Sequence, residues 1–244
     1  MCDCIKDLKE WMIRHQLKLN DDNTEFLLIG TKHQLETVNF SSITVCDALI
    51  AAKSKVRNLG SWFDSHLNMS IHISKICASA FYHLYNIGRI RKILSLDATK
   101  AVVHAFVRSH VHYCNSLLYG LPAIQINKVQ HVLNAAARLV SHALRYCHAA
   151  PLLRELHCLL VRQRINYKIV LLKFKTIHGK SPIYLQKLIS VKLPGAYRLS
   201  SSSNGLLLEA PSLRNRATLG DRSFQVVAPK LWNALPHEIN LLYF

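Results

Sequence analysis

From residue 68 onward the apolar residues recur at helical spacing, and this pattern constrains the fold more than any other feature of the chain. Ile73, Ile76, Cys77, Ala80, Leu84 and Ile87 lie mostly three or four apart, which puts them on one face of a long amphipathic helix. That helix ends in the basic run Arg89-Ile90-Arg91-Lys92. Asp97 is expected to begin a second helix with Ala98, Val102, Ala105 and Phe106 inward, and a third follows the Leu121-Pro122 break over 124–142. Its apolar face reads Ile126, Val129, Leu133, Ala136 and Val140. A fourth helix is expected over Val161–Ile177 with Ile165, Ile169 and Leu172 inward, and with Arg162, Arg164, Lys168, Lys173 and Lys175 crowding the rest. Pro182 opens a short fifth helix over 182–189. Pro194, Gly195, the serine run at 200–203 and Gly205 then read as a flexible boundary. The tail beyond Gly220 offers little but Phe224, Trp232 and Leu235 for packing, and Tyr243-Phe244 reads as a cut end.

The first 67 residues follow another pattern. Asp3 is a candidate cap for a helix carrying Ile5, Leu8 and Met12 on one side. The polar cluster Asn20-Asp21-Asp22-Asn23 reads as a turn, and Thr24-Glu25-Phe26-Leu27-Leu28-Ile29 as a short strand closed by Gly30. Ile43-Thr44-Val45-Cys46 and Lys55-Val56-Arg57-Asn58-Leu59-Gly60-Ser61-Trp62-Phe63 are further strand candidates. The expected fold is α+β and predominantly α-helical. It has a small antiparallel sheet with a helix over 1–67, a helical bundle over 68–193, and a linker with an irregular tail over 194–244. No fixed-period repeat runs through the chain, which argues against a solenoid. Half of the 244 residues are hydrophobic, enough for a core, so wholesale disorder is excluded. The apolar runs are broken by charges well short of the roughly 20 residues that a membrane span requires, and no membrane partner is expected. Acidic Asp3 and Asp7 stand where a signal peptide would carry positive charge. Seven cysteines without paired spacing suit a reducing intracellular compartment, nuclear or cytoplasmic.

Charge is distributed unevenly. Residues 1–67 hold eight Lys and Arg against nine Asp and Glu. Residues 68–244 hold 23 against five (Asp97, Glu155, Glu209, Asp221 and Glu238), so the net +17 of the chain comes wholly from the helical part. So large an excess repels itself unless a polyanion lies close, and nucleic acid is the commonest such partner.

Enzyme chemistry finds little footing. Asp21-Asp22 resembles a metal-holding pair, but two flanking asparagines make it a turn in which Asp bonds its own backbone. His110, His112 and Cys114, with Cys147-His148 and His157-Cys158, invite a zinc reading. Yet no C-x-x-C occurs, and most of these residues fall among apolar helical positions. Glycines are scattered singly, no G-x-S-x-G elbow is present, and the serine run has no positioned base. Basic residues near aromatics carry more. Arg89, Arg91 and Lys92 follow Tyr82 and Tyr85, Arg138 and Arg145 flank the end of the third helix, and Arg162, Arg164 and Lys168 begin the fourth. These eight are the candidate phosphate contacts.

Five blocks in order carry a family resemblance. They begin with Ile5-Lys6-Asp7-Leu8-Lys9-Glu10-Trp11-Met12, continued by Leu17-Lys18-Leu19-Asn20 and Thr24-Glu25-Phe26-Leu27. Next comes Val56-Arg57-Asn58-Leu59-Gly60-Ser61-Trp62-Phe63-Asp64. Then follow Tyr113-Cys114-Asn115-Ser116-Leu117-Leu118-Tyr119-Gly120-Leu121-Pro122, Asn134-Ala135-Ala136-Ala137-Arg138-Leu139-Val140, and Leu231-Trp232-Asn233-Ala234-Leu235-Pro236. In this order the chain resembles the carboxy-terminal half of the reverse transcriptase of non-LTR, LINE-type and jockey-like retrotransposons. The resemblance implies a palm remnant, then a primer-grip hairpin at Leu59, Gly60, Ser61, Trp62 and Phe63, then a thumb-like basic region. The partners it implies are the backbone of RNA or of an RNA/DNA duplex, and the polymerase and endonuclease parts that precede this segment in the family. Magnesium is implied only for the parent polymerase, because the three family aspartates that hold it would lie before Met1. Asn23 also stands where the family usually has Lys. The chain alone is therefore expected to bind nucleic acid without polymerising. A stand-alone domesticated nucleic-acid-binding helical protein, or a non-functional product of a degraded element, are the alternatives.

Overall fold

The computed structural model describes residues 2–18, 20, 23–38, 41–45, 48–191, 208–209, 211 and 220–236. The Asp21-Asp22 turn, the serine run at 200–203 and the end of the chain lie outside the described residues. The chain divides into two compact units, residues 1–75 and 76–244, so the boundary falls within a helix rather than at residue 67.

In the first unit, α1 (Cys2–Arg14) takes Asp3 into its first turn instead of using it as the cap. The expected strand at 24–29 shortens to β1 (Phe26–Leu27). It leads to α2 (Lys32–Thr37), opened by a reciprocal cap in which Gln34 N–H donates to Thr31 Oγ1 and Thr31 N–H to Gln34 Oε1. β2 (Ser42–Val45) and β3 (Ala48–Lys53) pair antiparallel, with Ile43 opposite Ile50. β3 also pairs β1 in parallel, so the three-stranded sheet runs β1-β3-β2 and is mixed, not wholly antiparallel as expected. Ala48, Ile50 and Ala52 alternate with more exposed neighbours along β3, the period of a half-covered strand.

Over 55–63, where the residue pattern reads as one strand and the family resemblance implies a hairpin, the chain forms a hairpin of β4 (Lys55–Asn58) and β5 (Ser61–Asp64). Leu59 at φ 45° and Gly60 at φ 85° make the two-residue turn, with the positive φ pair that matches strand twist. Buried Asp64 then organises the exit. Its Oδ1 accepts from the His66 and Asn68 N–H groups at 3.1 Å, and its Oδ2 from Met69 N–H at 3.0 Å. Those bonds turn the chain into α3 (Ser70–Ile90).

The second unit begins within α3 and continues through α4 (Leu96–Val103), capped by Ser95 rather than Asp97. A wide π turn, His104–Arg108, leads into α5 (Ser109–His112). The buried stripe here is Thr99, Val103, Val107 and Val111, while Ala105 and Phe106 face outward, contrary to expectation. A strict spacing of four overshoots a turn of 3.6 residues, and the wider π turn gives back the drift. A 3-10 turn, Asn115–Leu118, and Gly120 at φ 73° bring the chain to Pro122 and α6 (Ala123–Val140). Arg222 lies across Gly120, donating from Nε to the Tyr119 carbonyl at 2.9 Å and from Nη2 to the Leu117 carbonyl at 3.1 Å. A Cβ at Gly120 would meet Arg222 Cγ at 2.7 Å.

All five apolar positions expected on the third helix are buried in α6. After α7 (Ala149–Glu155), α8 (Val161–Ile177) buries Val161, Ile165 and Ile169, with Arg164 and Lys173 on the same stripe. α9 (Ile183–Gln186) is a single turn, followed by β6 (Ser190–Val191), which pairs antiparallel with β7 (Leu208–Glu209). The final segment is not irregular throughout: a 3-10 turn, Gly220–Arg222, precedes α10 (Phe224–Asn233). α10 packs on α8 and buries Val226, Val227, Ala228 and Trp232. Asn233 ties it to β7, its Oδ1 accepting from Leu208 N–H at 3.1 Å and its Nδ2 donating to the Leu208 carbonyl at 2.9 Å. Each fully buried Val or Ile stabilises by roughly 1.5–3 kcal/mol, so these stripes rather than helix propensity hold the unit together. No helix among the described residues is long and apolar enough to cross a membrane.

Candidate nucleic-acid interface

The second unit gathers four of the eight expected basic positions, Arg91, Lys92, Arg138 and Arg145, along one groove of about 610 Å³. α3 supplies Phe81 and Gly88, with Arg91 and Lys92 just beyond its end, and α6 supplies His131, Ala135 and Arg138. Spacings of four and three put those last three on one side of α6. The loop after α6 adds His142 and Arg145, and no carboxylate lines the groove.

The basic residues divide by what their nitrogens already hold. Arg91 is buried, and its expected role as a phosphate contact is corrected. Its Nε donates to the Leu139 carbonyl at 3.1 Å, Nη2 to Val140 at 3.0 Å and Nη1 to Leu94 at 3.0 Å. It thereby satisfies the last carbonyls of α6 and offsets the negative end of the helix dipole, which would otherwise repel an anion from the groove. Arg138 is half-buried and oriented by a 2.9 Å bond from Nε to the Cys147 carbonyl, which leaves its terminal nitrogens for the groove. Lys92 and Arg145 are exposed.

The other expected positions lie elsewhere on the unit. Arg89 is exposed on α3 and does not line the groove. Arg162 is exposed and borders a hollow with Tyr119 and Asn166. Arg164 is buried, contrary to its expected exposure on the helix. Its Nε donates to the Leu159 carbonyl at 2.6 Å, and its Nη1 is pressed against His112 Nε2. Lys168 is exposed and lines a separate pocket with Arg164, Arg108 and His112. Burial there, with Arg164 and Arg108 beside it, holds the His112 imidazole down at about 4.

The primer-grip-like residues belong to the first unit. Leu59 and Gly60 form the exposed hairpin tip, Ser61 is buried, and Trp62 and Phe63 are half-buried. Buried His72 accepts from Trp62 N–H at Nδ1 over 3.4 Å, and burial lowers its pKa. Lys55 and Arg57 stand exposed on β4, so the hairpin carries its own cations.

Sequence reasoning had not included His131 and His142 in the groove, nor Arg108 and Asn115 in the separate pocket. Same-side spacing was the available signal: His131 lies seven residues before Arg138, and Arg108 four before His112. Among the described residues no group of three or more His, Cys, Asp or Glu could hold a metal ion. No family model, no curated protein and no solved structure matches the chain.

Proposed function

We propose that this chain binds the phosphate backbone of RNA or of an RNA/DNA duplex through the groove of the second unit. In this reading it is the primer-positioning and duplex-gripping portion of a polymerase of the non-LTR reverse transcriptase kind, without the catalytic aspartates. The observation that carries the proposal is the groove: Lys92, Arg138 and Arg145 project into it with His131 and His142, and no acid opposes them. Backbone contact needs such cations and reads no sequence. Phe81, nearly half exposed in the same groove, offers a surface on which a base can stack. The first unit supports the polymerase origin from another direction. Leu8, Trp11 and Ile13 on α1 are each about half exposed or more and point to more than one side of the helix, apolar surface that neighbouring elements of a larger palm would cover.

The test is fluorescence anisotropy with an RNA/DNA duplex across a salt series. The expected logarithmic slope corresponds to several phosphates, and the Lys92→Gln/Arg145→Gln variant should lower it by about 2 with an unchanged melting temperature. Arg91→Gln should instead lower the melting temperature. A slope unmoved by the double variant would remove the groove from the interaction.

A further inference from the structure

The pocket beside α8 presents a different arrangement from the groove and shares no residue with it. It has a volume of about 260 Å³ and is lined by Arg108, Arg164, Lys168, His112, His157 and Asn115, with no carboxylate. Glu155 lines an adjoining cavity that shares Arg108 and Arg164, yet it forms no ion pair with either arginine.

Several polar groups of this pocket lack what they need. Arg164 is only 5% exposed; its Nε donates to the Leu159 carbonyl, its guanidinium meets Cys158 and is packed on the imidazole of His112, and no carboxylate among the described residues pairs with it. Arg108 Nε is buried without a hydrogen-bond partner. Asn115, 4% exposed, leaves its Oδ1 unpartnered, and the amide can turn over to offer Nδ2. Buried cations without a counter-charge are costly, and one anion touching all of them removes that cost. A phosphate suits the site better than a carboxylate. Its oxygens can accept from two guanidinium forks, an ammonium and an amide at once.

We infer that the pocket formed by Arg108, His112, Asn115, Arg164 and Lys168 binds a single phosphate group, either the free ion or the phosphorylated end of an oligonucleotide. The site is recessed and its deepest cation is buried, so it fits a terminal group rather than a continuous backbone. It stands independently of the duplex reading. His112 serves as its reporter. Burial, and after it Arg164, Arg108, His104 and Lys168, disfavour the imidazolium, and a bound phosphate dianion opposes the four cations and moves the titration upward.

The experiment uses the full chain. Inorganic phosphate is titrated by calorimetry, and the His112 ring is followed by NMR across pH, assigned with His112→Gln. One saturable site is expected, and Lys168→Gln and Arg108→Gln should each weaken it by about tenfold or more. Saturating phosphate should raise the His112 midpoint from about 4 by at least about one unit. Lys168 is exposed, so its variant tests the site without threatening the fold. A 5′-phosphorylated trinucleotide is then set against its hydroxyl-ended counterpart. Binding of the phosphorylated form alone assigns the site to a nucleic-acid end, and binding of inorganic phosphate alone assigns it to the free ion. The inference is overturned by absence of saturable phosphate binding, by unchanged affinity in Lys168→Gln, or by an unmoved His112. Loss of phosphate binding in the Lys92→Gln/Arg145→Gln variant would also overturn it, because the anion would then sit in the groove.

Discussion

Lys173 is a buried cation in the helical unit. It is fully buried, its Nζ has no hydrogen-bond partner, and burial brings the ammonium from 10.5 down to about 8. An unfolded chain keeps that proton until about 10.5, whereas the folded chain releases it near 8. Between those values the unfolded state binds more protons, so stability rises with pH across the window, and the full penalty applies below it. Lys173→Met is therefore expected to stabilise the protein at pH 7 by about 1–3 kcal/mol and to flatten the rise. Melting curves of both proteins from pH 7 to pH 10 check this, and an equally steep rise in the variant would clear Lys173 of the effect. At this scale the site was only partly legible. Arg164 and Lys173 continue the stripe of Val161, Ile165 and Ile169, so helical period alone places them inward. The rule that charges face water pointed the other way, and period prevailed. For Arg91 no such signal existed, because the Leu139 and Val140 carbonyls that bury it are brought close only by the packing of α6.

Among the elements, the hairpin and its exit depend on Asp64. One carboxylate accepts from three backbone N–H groups, and Asp64→Ala leaves all three without it. A loss of about 2–4 kcal/mol is expected, confined to the first unit. Hydrogen exchange reads it directly: the His66, Asn68 and Met69 amides should lose protection while those in the middle of α6 keep theirs, and retained protection would remove Asp64 from this role. The helices α3, α6 and α8 were legible because their apolar residues keep a period near 3.6. On the second helix Ala98 and Val102 are half-buried, while Ala105 and Phe106 fall in the following π turn, invisible to periodicity, and face outward. β3 was missed because Ala48, Ala51 and Ala52 make a weak strand signal, and the β4–β5 hairpin was legible from the family resemblance but not from the residue pattern, because Leu59 is an unusual residue at positive φ. Trp232 and Asn233 were seen as a motif, but their roles, Trp232 buried as α10 packs on α8 and Asn233 bonded to Leu208, come only from the fold.

Across the molecule, charge organises the two units differently. Of the four salt bridges among the described residues, three lie in the first unit and only Lys100–Asp97 in the second, at 3.6 Å on an exposed helix face. Across its described residues the helical unit thus holds its excess of cations with little pairing by carboxylates, and the cost falls on its own stability. Folding of this unit is thus an ion-uptake reaction: gathering its cations raises the local potential and draws anions from solution. Its melting temperature should climb with salt, and at equal ionic strength more steeply in sulfate than in chloride, as differential scanning calorimetry would record. A flat or falling curve would mean that the charges are already far enough apart to ignore one another. A rising one would mean that the solvent supplies part of this unit's structure, and that the unit is best defined together with its counterions.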